Sequence, residues 1–378
     1  MKSNYKRIGD HIQLVDERNN GLNVKQLLGL SISKQFIPSV ANIIGTDMEN
    51  YKIIRKNQFA CSTMQVRRDK KMPVALLLDV EEAIISQAYP IFQVKNEKEL
   101  LPEFLMMWFT RSEFDREACF NAVGGVRGSL EWEDFCEMQL PIPTITKQRE
   151  IVKEYNAIQN RIALNQQLIK KLEETAQAIY KQWFVEGIES ENLPEDWRIG
   201  ALNELCDYSS KRISMSELDV DGYISTENML QDKAGVVLAS GLPSASSVIN
   251  FEVGNILISN IRPYFKKIWL ANFDGGCSND VLCFVPKIGI PSLYLYQILE
   301  KDNFFDYVMA GSKGTKMPRG DKRWIMEYPS IIPDEKLLNK FNKIVSKTQT
   351  DISIRKQENQ KLTELKDLLL SKLATVEN

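Results

Sequence analysis

QLPIPTITKQREIV (Gln139–Val152) and PSIIPDEKLLNKFNKIV (Pro329–Val345) are the stretches whose reading decides the fold of this chain. In each, the proline-punctuated end of a globular block passes directly into a long, charged, helically periodic run. From about Thr146 to Phe184 neither proline nor glycine interrupts the first run. Ile151, Tyr155, Ile158, Ile162, Asn165, Ile169, Leu172, Ala176, Ile179 and Trp183 recur there at spacings of three and four, which marks a coiled-coil seam or one stripe of a long amphipathic helix. The closing run, roughly Asp334 to Leu373, carries Leu337, Phe341, Ile344, Val345, Ile352, Leu362, Leu365, Leu369 and Leu373 in the same manner. Laid over each other at an offset of 190 positions, Ile162 meets Ile352, Leu172 meets Leu362 and Ile179 meets Leu369. At 1.5 Å rise per residue each helix spans roughly 60 Å. A solitary helix of that length lacks support, so each apolar stripe predicts the other as its partner.

The fold class that follows is α/β and α-helical: two similar globular domains separated by a long antiparallel two-helix coiled coil, with an internal pseudo-two-fold repeat. The expected boundaries are 1–144 for the first head, 145–190 for the first long helix, 191–333 for the second head and 334–378 for the second long helix. In the first head, strands are predicted at Phe59–Met64, Val74–Leu78 and Ile91–Val94, followed by a helix over Leu101–Asn121 that Pro102 opens and GGVRG (Gly124–Gly128) stops. In the second, strands are predicted at Asn255–Ser259, Ile268–Ala271 and Val281–Val285. A helix over Ser292–Met309 follows, broken by AGSKGTKMPRGDKR (Ala310–Arg323). Ile151, Ile158, Ile162, Leu172, Ile179, Phe341, Ile352, Leu362 and Leu369 are the expected residues of the spacer and partner interface.

With 378 residues the chain has room for two cores of ordinary domain size, and 43% apolar with 26% charged residues excludes global disorder. No window approaches an apolar 20-mer and the opening MKSNYKRIGDHI has no hydrophobic signal region, so the expectation is a cytoplasmic protein without a membrane partner. Six cysteines without a CxxC predict neither a disulfide framework nor a zinc cluster; Cys277 and Cys283 read as packing residues. Catalytic signals are absent too. His11 is the single histidine, no GxxxxGK[ST] or GxGxxG loop occurs, and Asp79, Glu81 and Glu82 read as a solvated helix start. No catalytic residue and no metal site are expected.

The net charge of −2 neither demands nor excludes nucleic acid, because binding depends on where charge clusters. In the second head Lys313, Lys316, Arg319, Lys322 and Arg323 face one acidic residue, Asp321, and glycines at 311, 314 and 320 allow close backbone approach. Lysines there suit phosphates and an arginine suits a guanine edge; an ordinary solvated loop is the competing reading. In NIRPYFKK (Asn260–Lys267), Pro263 turns the chain out of its sheet and presents Arg262, Tyr264, Lys266 and Lys267. After a Gly-Gly turn, Ser278 and Asn279 offer short polar groups. The first head supplies Arg67, Arg68, Lys70 and Lys71, and Arg127 sits in a shorter counterpart of the glycine-rich loop.

Five strings in this order resemble the DNA-specificity subunits of type I restriction–modification systems: YKIIRKNQFACSTMQVRR (Tyr51–Arg68), LPIPTITKQREIV (Leu140–Val152), LIKKLEETAQAIYKQWF (Leu168–Phe184), LPEDWRIGAL (Leu193–Leu202) and FEVGNILISNIRP (Phe251–Pro263). The resemblance covers nearly the whole chain and is looser in the first head. It implies two target-recognition domains, each reading one half of a bipartite double-stranded DNA sequence, with the paired helices fixing the unread gap. It further implies docking of two methyltransferase (modification) subunits and of motor-nuclease (restriction) subunits. No cofactor is implied in this chain, which lacks an NPPY-type methylation motif and an ATP loop; the partners would use S-adenosylmethionine, ATP and Mg. The alternative is a non-enzymatic coiled-coil adaptor whose heads bind proteins. A self-contained nuclease or methyltransferase is disfavoured by the missing motifs.

Overall fold

The computed structural model describes residues 5–39, 47–125, 128–189 and 192–376. The first head opens with β1 (Tyr5–Arg7), the one-turn helix α1 (Ile8–His11) and β2 (Ile12–Val15). There follow β3 (Leu28–Leu30), β4 (Phe36–Pro38), β5 (Lys52–Arg55), β6 (Phe59–Cys61), the short α2 (Val66–Asp69), β7 (Val74–Leu76), β8 (Glu82–Ile85) and β9 (Ile91–Val94). Helices α3 (Pro102–Thr110), α4 (Ser112–Asn121) and α5 (Trp132–Glu137), then β10 (Gln139–Pro141), lead into the long α6 (Ile145–Phe184). The second head contains β11 (Arg198–Ala201), β12 (Cys206–Tyr208), β13 (Arg212–Ser214), β14 (Tyr223–Ile224), β15 (Ser247–Phe251), β16 (Ile256–Ser259), β17 (Ile268–Leu270), β18 (Gly275–Cys277) and β19 (Val281–Pro286). It closes with α7 (Ser292–Leu299), α8 (Asp302–Ala310), α9 (Lys322–Met326), β20 (Pro329–Ile332) and the long α10 (Glu335–Lys372).

Both heads are built on the same antiparallel four-stranded sheet, β2-β9-β6-β7 in the first and β12-β19-β16-β17 in the second. Its central strands are apolar apart from Gln93 and Ser259 because both faces are covered, and side chains alternate between the faces. Phe59 and Cys61 join the core on the helix side, while Ala60 joins Ile54, Ala83 and Ile85 of β5 and β8 on the other. In the second head Ile256 and Ile258 point to the helices, and Leu257 points to a layer with Phe251, Cys277 and Cys283. From the helices onward the match has no insertion. Helices α3 and α7, α4 and α8, α5 and α9, and α6 and α10 each begin 190 positions apart.

Two expectations need correction. Neither head has one continuous helix after its sheet. Arg111 and Lys301, at equivalent positions, adopt extended backbone and split each helix in two. No glycine or proline marks these breaks. In the first head the break turns α4 back, so that Phe114 packs on Phe109 at 4.9 Å between ring centroids, while Arg111 lies over the Trp108 ring. The Gly-Gly pair is also a strand rather than a turn. A Cβ on Gly275 would collide with the Gly222 carbonyl, and one on Gly276 with Leu218, so β18 is glycine because its neighbours crowd it.

The chain divides into two compact units, Met1–Leu164 with Glu358–Asn378, and Asn165–Gln357. Within the first, Ile151 of α6 shares a core with Leu370 and Leu373, and Arg161 further along donates to Glu358 at 2.8 and 3.2 Å. Within the second, Arg355 donates to Asn165 at 3.3 Å, and the Tyr180 and Phe184 rings pack on Phe341. In each unit residue numbers rise along α6 as they fall along α10, so the helices pair antiparallel. Ile151, Ile158, Phe341 and Ile352 are buried; Ile162, Leu172, Ile179, Leu362 and Leu369 are half-buried. Leu365 and Ile344, read as part of the stripe, are exposed because a two-helix seam is narrower than the stripe.

A buried ion pair fixes the tip of the first head. Lys34, its side chain 6% exposed, meets Asp115 of α4 at 2.8 Å and also donates to the Phe109 carbonyl. Asp115 accepts the Met72 N–H as well, at 3.1 Å. Burial pushes the Lys34 ammonium below its ordinary pKa, and Asp115 opposes that shift. Asp115→Ala strands a buried charge and is expected to cost about 3–5 kcal/mol in urea unfolding, with much of the loss recovered when Lys34→Met is added. Phe341→Ala should cost about 3–5 kcal/mol, whereas Leu365→Ala should stay within about 0.5 kcal/mol in the same measurement.

Candidate nucleic-acid interface

In the second head the chain leaves β16 at Ser259 and makes a single 3-10 turn over Pro263–Phe265 before β17. Arg262 and Lys266 bracket that turn in the left-handed region, at φ 51° and 49°. Backbone bonds draw three loops together. Arg262 N–H donates to the Pro318 carbonyl at 2.8 Å, Asn260 N–H to Asp280 at 2.8 Å, and Gly320 N–H to Asn260 at 3.4 Å. Gly320 is needed for this approach, since a Cβ there would lie 2.8 Å from Asn260 Oδ1. The sequence strings NIRPYFKK, SND and the basic loop therefore form one surface.

The cations on that surface are not equivalent. Arg319 is exposed, with Nη2 3.1 Å from Asp280 Oδ1. Lys313 pairs with Asp321 at 2.7 Å, and Asp321 also caps α9 by accepting from the Arg323 and Trp324 N–H groups. Lys313 and then these two backbone donors hold the Asp321 carboxyl below its usual range. Lys322 lies over the Tyr208 ring. Lys316 and Arg323 are exposed and form no ion pair among the described residues. Tyr264 and Asn279 are exposed, and Ser278 is half-buried. Lys266 pairs with Asp302 at 3.1 Å, Lys267 donates to the Thr226 carbonyl at 2.7 Å, and Arg262 stacks on Phe265. Burial pushes the Lys267 ammonium down. These three cations, selected as contacts from the sequence, are half-buried and each has a partner within the head.

The first head repeats the scaffold with other charges. Helix α2 stands where the 3-10 turn stands, again bracketed by left-handed residues, Gln65 and Lys70. Val123 and Ser129 exchange both backbone bonds, as Lys313 and Arg319 do, so each head closes a loop of the same length; the first is not shorter. Gly124 and Gly314 open these loops at φ 105° and 98°, which favours glycine. Ser129 holds the position of Arg319, and Arg127 lies outside the described residues. The cations come from elsewhere. Arg67 donates to the Gly124 carbonyl at 3.0 Å, Arg68 pairs with Asp69 at 2.7 Å, and Lys70 and Lys71 are exposed.

Arg67, Arg68 and Lys70 line a hollow of about 710 Å³ together with Arg116, Cys119 and Gly125. Arg116 and Cys119 were not singled out in the sequence, although their spacing of three on a helix puts them on one face. No cluster of His, Cys, Asp and Glu that could hold a metal exists among the described residues. Glu81 and Glu82 pair with Lys56 and Arg55. No helix among the described residues is long and apolar enough to cross a membrane.

The family model described as "Type I restriction modification DNA specificity domain" matches residues 41–174. The type I restriction enzyme EcoDI specificity subunit of Escherichia coli is 26% identical over 194 residues, which span 48% of this chain and 42% of that protein. The type I restriction enzyme HindI specificity subunit of Haemophilus influenzae is 26% identical over 110 residues, spanning 29% of this chain and 24% of that one. The matched stretches thus cover less than half of either relative. A type-I restriction-modification system S subunit from M. genitalium shares the fold, with a TM-score of 0.60 at 16% identity over 99% of this chain and 96% of that one. Residues 41–174 thus match the model of the type I restriction–modification DNA specificity domain, the family that the sequence motifs resemble.

Proposed function

We propose that this chain is the DNA-specificity subunit of a type I restriction–modification complex. The observation that carries this reading is the duplicated head. Each head ties the turn after its central strand to a glycine-opened loop by backbone bonds and surrounds that junction with cations. Heads of 1–144 and 191–333 would each read one half of a bipartite duplex sequence, and helices of 145–190 and 334–378 would fix the gap. Arg319, Arg323 and Lys316 are the contacts in the second head, and Arg67, Arg68, Lys70 and Lys71 those in the first. A bidentate arginine–base contact discriminates by about 1–3 kcal/mol, while lysine–phosphate contacts add salt-sensitive affinity without sequence choice.

The chain itself is non-catalytic on this reading and acts in the cytoplasm. Two methyltransferase subunits docked on the helices would use S-adenosylmethionine, and motor-nuclease subunits would use ATP and Mg. The adaptor reading accounts for the helices but leaves the cationic junctions without a purpose.

Selection from a random-sequence duplex pool, with the chain alone and with its co-purified methyltransferase, is expected to enrich a bipartite motif with a fixed gap. Absence of enrichment in both preparations overturns the proposal. Arg319→Ala should relax one half-site by about 1–3 kcal/mol and leave the other intact; an equal loss on every sequence would instead mark a phosphate contact. Lengthening both long helices by one turn should change the preferred gap, and an unchanged gap would refute the ruler.

A further inference from the structure

The α4 residues at the hollow between α2 and α4 are not repeated in the second head. At the positions equivalent to Arg116, Cys119 and Phe120, the second head has Asp306, Met309 and Ala310. Four cations line or border it: Arg67, Arg68, Lys70 and Arg116. Two carboxylates touch them, Asp69 on Arg68 and Glu113 on Arg116 at 3.0 Å, so the site keeps an excess of positive charge. Arg116 is held at its edge with a side chain 74% exposed. At about 710 Å³ the hollow is far larger than one anion requires, and the cations are spread over two elements. Next to Cys119 in sequence, Phe120 is 83% exposed, and Val123 beyond it is 60% exposed. Cations around an open hollow, with exposed apolar side chains close by in sequence, match the alternation of phosphate and sugar along a nucleic-acid strand.

We infer that this hollow is a seat for the backbone of duplex DNA, with Arg116 and Phe120 as contact residues that only the first head supplies. The inference rests on the proposed DNA-binding function and deepens it. Arg116 and Arg67 engage phosphates, and Phe120 lies against the deoxyribose groups between them. The two heads then grip DNA with different parts, the first through α2 and α4 and the second through the loop before α9. Backbone contacts carry no sequence choice, so any duplex tests the seat.

The experiment uses the full chain and a long random-sequence duplex. Cys119 lines the seat, and its alkylation by N-ethylmaleimide, read by mass spectrometry with half-buried Cys136 as reference, reports occupancy. Duplex is expected to slow Cys119 several-fold and leave Cys136 unchanged, while inorganic phosphate at matched ionic strength protects neither. Arg116→Gln should reduce the slope of log affinity against log salt by about 0.9. Phe120→Ala should weaken binding to all sequences without changing that slope. If duplex binds with a steep salt slope, yet Cys119 reacts at an unchanged rate and Arg116→Gln leaves the slope intact, the seat is wrong and the specificity reading stands. Failure to bind duplex at any salt, alone and with the co-purified methyltransferase, overturns both.

Discussion

Neither long helix can bury its apolar stripe alone, and the architecture depends on that constraint. A helix of 40 residues, charged over most of its surface, gains little from propensity and must find a complementary stripe. Each unit solves this by taking one end of α6 and the opposite end of α10 into the core of a head. Ile151 meets Leu370 and Leu373 there in the first unit, and Tyr180 and Phe184 meet Phe341 in the second. The helices are therefore walls of the heads as well as rods. Asn165 and Arg355, equivalent in the repeat, are also bonded to each other, so a slip in register would bury unpaired polar groups.

The same economy governs the cationic loop surfaces. Their geometry is set by main-chain bonds, by left-handed residues that bracket a short turn, and by glycines at 124, 314 and 320. Side chains that point outward are then free to differ. Position 129 is serine where 319 is arginine, and 116 is arginine where 306 is aspartate. A scaffold held by backbone bonds tolerates such exchanges because the groups that differ carry none of its packing. On the proposed function, that suits a pair of heads with one fold and separate targets.

Several features misled a reading of residues alone. Arg111 and Lys301 break their helices without any breaker residue; in the first head the break returns Phe114 onto Phe109, a contact that no local signal in the sequence announces. Lys266 and Lys267 of NIRPYFKK have partners that the sequence did not announce, Asp302 and the Thr226 carbonyl, both remote in sequence. Arg116 looked like an ordinary helix surface residue until α2 was placed beside it.

Periodicity determined the long helices and the repeat, apolar runs the strands at Ile91–Val94 and Val281–Val285, and clustered glycine, proline and cations the positions of the loops, because all of these are local properties of the sequence. Only tertiary structure decided which cations face solvent, which have a partner within the head, and which meet across a hollow. Those outcomes depend on partners tens of residues away, and a charge is committed or left available by what folds against it.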